Sequence, residues 1–128
     1  MCLIHDMGEA FTGDIPAFLK TGADTQNEDE ILMAWIDRLP EEIRKSWRDL
    51  LEEMNGQETI EAKVYKALDK LEALISHNES DLSSWLPLEY DLQLTYGQKE
   101  MHCSPYFERL RKSVDEWTLE KIKTEKKD

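Results

Sequence analysis

The sequence predicts an all-α protein, and three observations carry that prediction. Apolar residues recur at helical spacing, most clearly in the stripe Ile60, Val64, Ala67, Leu68, Leu71, Leu74 and Ile75. Apolar–polar alternation of the kind a half-buried strand needs never persists over a strand's length. Five glycines and four prolines in 128 residues are too few turn formers for a sandwich or barrel.

Taken in order, residues 1–11 read as the second half of a helix striped by Leu3, Ile4, Met7 and Phe11. No N-cap or capping box precedes it, and a chain that opens in mid-helix implies an upstream piece. Gly13 stands as its stop, followed by a turn at Asp14-Ile15-Pro16. Residues 21–27 are polar and loop-like, with Thr25 or Asn27 as the cap of a second helix through Ile31, Leu32, Trp35, Ile36 and Leu39. Pro40 takes a first helical position ahead of Glu41 and Glu42, where the helix dipole favours acids. That third helix carries Ile43, Trp47, Leu50, Leu51 and Met54 and ends at Asn55-Gly56. The fourth, over residues 58–76, holds the clearest stripe. Residues 78–86 read as a loop, and residues 88–96 as a short helix broken at Gly97. Pro105 starts a last helix through Phe107, Leu110, Val114 and Trp117. Residues 1–117 thus form one domain, and residues 118–128 a charged tail expected to fray. Trp35, Trp47, Trp85 and Trp117 are expected in the core.

Acidic residues number 28 against 16 basic ones, a net charge of -12. Such a surface repels a phosphate backbone and argues against a nucleic-acid partner. It also opposes a small phosphorylated substrate, unless a bound divalent cation reverses the local field. Cys2 and Cys103 have no second thiol at metal-site spacing and read as free thiols of a reducing cytoplasm. No apolar run reaches the ~18–20 residues that cross a bilayer, and residues 1–4 are too short for a signal peptide. A soluble cytoplasmic protein without a membrane partner is expected. The acidic run from Asp24 to Glu30 is not a calcium loop. Asp29 and Trp35 stand where such a loop needs glycine and glutamate.

Chemistry concentrates in His5-Asp6-Met7-Gly8-Glu9-Ala10-Phe11-Thr12-Gly13-Asp14-Ile15-Pro16. Glu9 follows His5 by four residues and Asp6 by three, so on a helix it shares their stretch of surface. Gly13 then turns the chain and delivers Asp14. Far downstream, Asp69 interrupts the apolar stretch of the fourth helix, where aspartate is not favoured. A buried lone carboxylate there is costly. Imidazole plus carboxylates makes a nitrogen–oxygen donor set suited to Mn, Fe, Co, Ni or Zn more than to calcium. Such a cation polarises a phosphoryl oxygen and lowers the pKa of bound water, while a carboxylate outside the ligand set handles protons. Plainer readings stand beside this one. His5 and Asp6 form a surface pair, Glu9 is a solvated helix residue, Asp14 caps a turn, and Asp69 pairs with Lys66 or Lys70.

His5-Asp6 with Glu9 and Gly13-Asp14, and Asp69 in a Leu-Asp-Lys-Leu-Glu helix, resemble the HD-domain phosphohydrolase superfamily. The run His-Asp-x-x-Glu-x-x-x-Gly-Asp is similar to its branch of bacterial 5'-deoxynucleotidases, and Glu61-Ala62-Lys63 fits that branch too. The resemblance covers residues 1–115. It implies an HD-domain helical bundle in which His5, Asp6 and Asp69 ligate one divalent metal ion (Mn, Co, Fe, Ni, Zn or Mg). Glu9 is then the acid/base or water-positioning residue, and Asp14 orients the attacking water or the substrate. The implied reaction is hydrolysis of nucleoside 5'-monophosphates or similar small phosphomonoesters. Cleavage of a nucleoside polyphosphate is another activity of the superfamily. HD phosphohydrolases take a first histidine ligand from a helix upstream of the His-Asp pair, and the nucleotidase branch takes from it an arginine for the substrate phosphate. Only four residues precede His5, so the resemblance implies that this first helix is missing, in a truncated enzyme or a degenerate relative. Neither His77, about 12 Å along the helix axis beyond Asp69, nor His102 takes the lost ligand's place. Against the enzyme stands a non-catalytic helical protein whose open apolar face self-associates into a homo-oligomer or takes a partner.

Overall fold

The computed structural model describes residues 1–16 and 19–125 and divides into two compact units, Met1–Ala62 and Lys63–Asp128. The helices are α1 (Glu9–Thr12), α2 (Gly22–Ile36), α3 (Glu41–Gly56), α4 (Ile60–Glu79), α5 (Glu89–Thr95) and α6 (Pro105–Glu125), with 3-10 turns at Leu82–Ser84 and Glu100–Cys103. Among the described residues no strand occurs, and the all-α class stands. No helix among them is long and apolar enough to cross a membrane.

In the first unit the opening helix is shorter than its stripe suggests. Residues 2–8 wind as successive turns closed by bonds to the third residue back, such as Ile4 N–H to the Met1 carbonyl at 3.0 Å and Met7 N–H to the Ile4 carbonyl at 3.1 Å. Only Glu9–Thr12 is α-helical. A short helix is held by burying one face, and this face is split: Met7 packs into the core while Leu3 is 96% exposed. Gly13, at φ +83°, ends α1 as expected.

Helix α2 starts at Gly22, ahead of the expected caps Thr25 and Asn27, because Thr21 closes a capping box with Asp24. The Thr21 N–H donates to Asp24 Oδ2 at 2.8 Å, and Asp24 N–H donates back to Thr21 Oγ1 at 3.4 Å. The same hydroxyl and amide hold the Asp24 carboxyl below its ordinary pKa. The buried face of α2 is Glu28, Leu32 and Ile36. Pro40 is the N-cap of α3, not its first residue, and α3 ends at Gln57 in the left-handed conformation. Leu32, Ile36 and Leu51 form this unit's core, with Met7, Trp35 and Trp47 packed on it.

The second unit is built on α4 and α6 around Ala67, Leu71, Leu74, Met101, Phe107 and Val114. Both helices outrun their apolar stripes for one reason. Asn78, expected in a loop, and Thr118, expected in the tail, are both buried. Asn78 Nδ2 donates to Thr118 Oγ1 at 2.9 Å, and that hydroxyl lies 3.0 Å from the Val114 carbonyl. Helix α4 therefore reaches Glu79, and the segment expected to fray from residue 118 is helical to Glu125. Residues 126–128 of that tail lie outside the described residues. Trp85 is buried, whereas Trp117 lies beside the Phe107, Val114 and Thr118 stripe and is exposed, against expectation.

Gly97 follows α5 at φ +70°, and a Cβ there would meet Lys70 Cβ of α4 at 2.7 Å. Gly97→Ala thus combines left-handed backbone strain with overpacking against a helix stem, and lowers stability by about 2–5 kcal/mol. A urea titration of the variant checks this, and an unchanged midpoint would refute it.

Candidate active site

The His5 side chain is anchored by the turns around it. Its Nδ1 lies 2.9 Å from the Cys2 carbonyl oxygen, a pure acceptor, so Nδ1 carries the proton and donates. That leaves Nε2 facing Asp6 Oδ2 at 3.1 Å. In that tautomer Nε2 carries a lone pair, as the carboxylate oxygen does, and both atoms are able to ligate a cation. Two donors bound at right angles to one ion, each at about 2.1 Å, lie about 3.0 Å apart. A metal-ligating histidine also characteristically gives its other N–H to a backbone carbonyl. The pair therefore fits two neighbouring positions of a nitrogen–oxygen metal site. Among the described residues, no group of three or more His, Cys, Asp or Glu side chains is gathered to complete one.

Glu9 opens α1 and does not stand as a free surface acid. Lys20 Nζ donates to Glu9 Oε1 at 3.0 Å and lies 2.7 Å from Glu28 Oε2. Burial works against the Lys20 charge, but the hydrogen bonds and attraction of Glu28 and Glu9 outweigh it and hold the ammonium pKa well above its ordinary value. Thr12 Oγ1, one turn along from Gly8, stands 3.4 Å from Glu28 Oε1. Asp14 lies beyond Gly13, outside the helices, and is exposed.

In the second unit, Asp69 lies on α4 between two lysines of its own helix, with Oδ2 at 3.4 Å from Lys66 Nζ and 3.1 Å from Lys70 Nζ. Lys70 also donates to the Tyr96 hydroxyl at 2.7 Å. Burial again opposes the lysine charge, and Tyr96 and Asp69 reverse the balance and raise its pKa. The lysine pairing anticipated for Asp69 is thus present. The other histidines are engaged locally: His77 stacks on Trp85 with ring centroids 4.2 Å apart, and His102 Nδ1 lies 2.9 Å from Glu108 Oε1.

Lys20 and Glu28 are the residues that sequence reasoning passed over. A signal existed. Glu28 falls in register with Leu32 and Ile36, which puts a carboxylate on a buried face, and such a group needs a cation. Lys20 is the only lysine or arginine before Arg38.

The HD domain family matches residues 1–111. Over 81 residues, 62% of this chain, it is 37% identical to the 5'-deoxynucleotidase HDDC2 of Homo sapiens and 37% identical to that of Mus musculus, covering 40% and 41% of their lengths. The 5'-deoxynucleotidase HDDC2 of Danio rerio is 36% identical over 81 residues, 62% of this chain and 40% of the relative. The chain thus matches well under half the length of these relatives. No solved structure matches it.

Proposed function

The chain belongs to the HD-domain family, and from that premise we propose that it is a metal-dependent phosphohydrolase acting on nucleoside 5'-monophosphates or similar small phosphomonoesters. The observation that carries the reading is the His5–Asp6 pair, with Nδ1 tied to a carbonyl and Nε2 set 3.1 Å from a carboxylate oxygen. The relatives named 5'-deoxynucleotidase support the substrate class. In this proposal residues 1–117 are the HD domain, and His5, Asp6 and Asp69 hold one divalent ion. That ion supplies Lewis acidity toward the phosphoryl group and positive charge in a chain of net charge -12.

The remaining steps fall to the chain's own residues. A water oxygen bonds to phosphorus as the ester P–O bond breaks, and Glu9 takes the proton that the water gives up. The leaving nucleoside oxygen takes a proton from solvent and Glu9 returns its own to solvent, giving nucleoside and inorganic phosphate. Asp14, exposed beside α1, orients the water or the substrate.

The test is phosphate release from deoxynucleoside 5'-monophosphates by the purified chain with manganese, cobalt or magnesium. The expected result is hydrolysis that EDTA abolishes, with about one equivalent of metal bound and its loss in Asp69→Ala. No phosphate release with any of these ions overturns the reading.

A further inference from the structure

We propose that Lys20 and Glu28 are positioning residues that hold the Glu9 carboxylate in a single orientation for proton transfer. This rests on the hydrolysis proposed above. The three side chains form one half-buried cluster: Glu28 at 10% exposure, Glu9 at 21%, and Lys20 at 23% between them.

Glu28 is the buried anchor. It shares the α2 face that carries Leu32 and Ile36, and its carboxylate would be costly there without a cation. Lys20 supplies that cation at 2.7 Å. The chain before α2 is pressed onto the same spot, since a Cβ on Gly8 would lie 3.2 Å from the Glu28 carbonyl oxygen and 3.3 Å from its Cβ. Glycine at this position lets the backbone ahead of α1 reach Glu28, and Glu9 is the next residue. Lys20 therefore meets Glu9 from a point already set by Glu28.

The two carboxylates are not equivalent. Glu28 has both oxygens occupied, Oε2 by Lys20 and Oε1 by Thr12. Glu9 uses Oε1 for Lys20, and among the described residues no hydrogen bond occupies its Oε2. Of two acids sharing one ammonium, Glu9 is the more exposed, at 21% against 10% for Glu28, and so the better placed to meet a water. A buried ion pair seldom adds net stability, and Lys20 with Glu28 alone would satisfy the buried charge. Extending the contact to the more exposed Glu9 adds orientation.

The experiment compares the full chain with Lys20→Met, Lys20→Arg and Glu28→Gln for kcat, KM and metal content on a deoxynucleoside monophosphate. Lys20→Met lowers kcat on the order of 10²-fold, the loss that misplacing a reacting group brings. KM and metal content stay at the wild-type level, and Lys20→Arg restores much of the rate. A folded Lys20→Met protein with wild-type kcat overturns the positioning role and leaves the hydrolase reading standing. A loss of kcat that only follows the unfolded fraction, without rescue by arginine, does the same. Wild-type protein that hydrolyses no monophosphate overturns the hydrolase reading and this inference together. A second readout needs no activity: the Lys20 ammonium gives a slowly exchanging ¹⁵N–¹H signal in wild type that is lost in both Glu9→Ala and Glu28→Ala. Its survival unchanged in Glu9→Ala shows that Lys20 does not hold Glu9, and ends the proposal.

Discussion

Glu9→Gln lowers kcat for phosphomonoester hydrolysis by ~10²–10⁴-fold, the range over which a positioned acid or base acts, while fold and metal content stay at wild-type values. The amide is nearly isosteric with the carboxylate and still offers Oε1 to Lys20, 3.0 Å away. What it cannot do is accept the proton of the attacking water. The competing account makes Glu9 a partner in an ion pair and nothing more. Exposed pairs contribute about 0–1 kcal/mol, and a partly buried pair, less screened by solvent, lies toward the upper end of that range. On that account the substitution shifts the urea midpoint slightly and leaves kcat alone. Measuring both quantities on one preparation separates the two, and an unchanged kcat reduces Glu9 to a packing residue.

The candidate residues of the first unit stand out in the sequence because they are contiguous. His5, Asp6, Glu9 and Asp14 fall within ten positions, so their proximity needs no tertiary information. Helix starts marked by local signals were legible too, with Pro105 opening α6 and the acidic pair Glu41 and Glu42 opening α3. The misreadings share a different origin. The stripe Leu3, Ile4, Met7 and Phe11 has helical period, but period alone does not say that Leu3 stays in solvent, and without burial the turns of residues 2–8 prevail. Thr21-x-x-Asp24 was a capping signal in plain view, overlooked among polar neighbours that look like loop. Asn78 and Thr118 are 40 positions apart and each looks like surface. Their burial follows from satisfying one another, and no local pattern announces such a pairing. The Glu9–Lys20–Glu28 cluster has the same character, since it exists only once α2 begins at Gly22 and Glu28 turns inward.

Arg111 tests how far such hidden pairings hold the second unit together. It is the largest of the fully buried side chains, at 2% exposure. Its guanidinium donates to Asp115 Oδ1 at 2.7 Å, to the Gln93 carbonyl at 3.1 Å, and to the Tyr96 carbonyl. Those last two bonds tie the end of α5 to α6, just before the tight passage at Gly97. Arg111→Met keeps much of the apolar stem but strands two carbonyls and takes the cation from Asp115. Breaking a buried pair by removing one partner costs about 3–5 kcal/mol. The lower end applies here, because Asp115 keeps partial access to water and a bond from Gln98 at 3.1 Å. Against a typical stability of ~5–15 kcal/mol, that leaves a marginal fold. The double variant Arg111→Met with Asp115→Leu recovers only part of the loss, since the carbonyls of Gln93 and Tyr96 remain without their donor. Urea midpoints of the wild type, the single variant and the double variant decide the point. If the double variant regains wild-type stability, the Arg111–Asp115 pair alone carried the effect and the carbonyl clamp on α5 is idle.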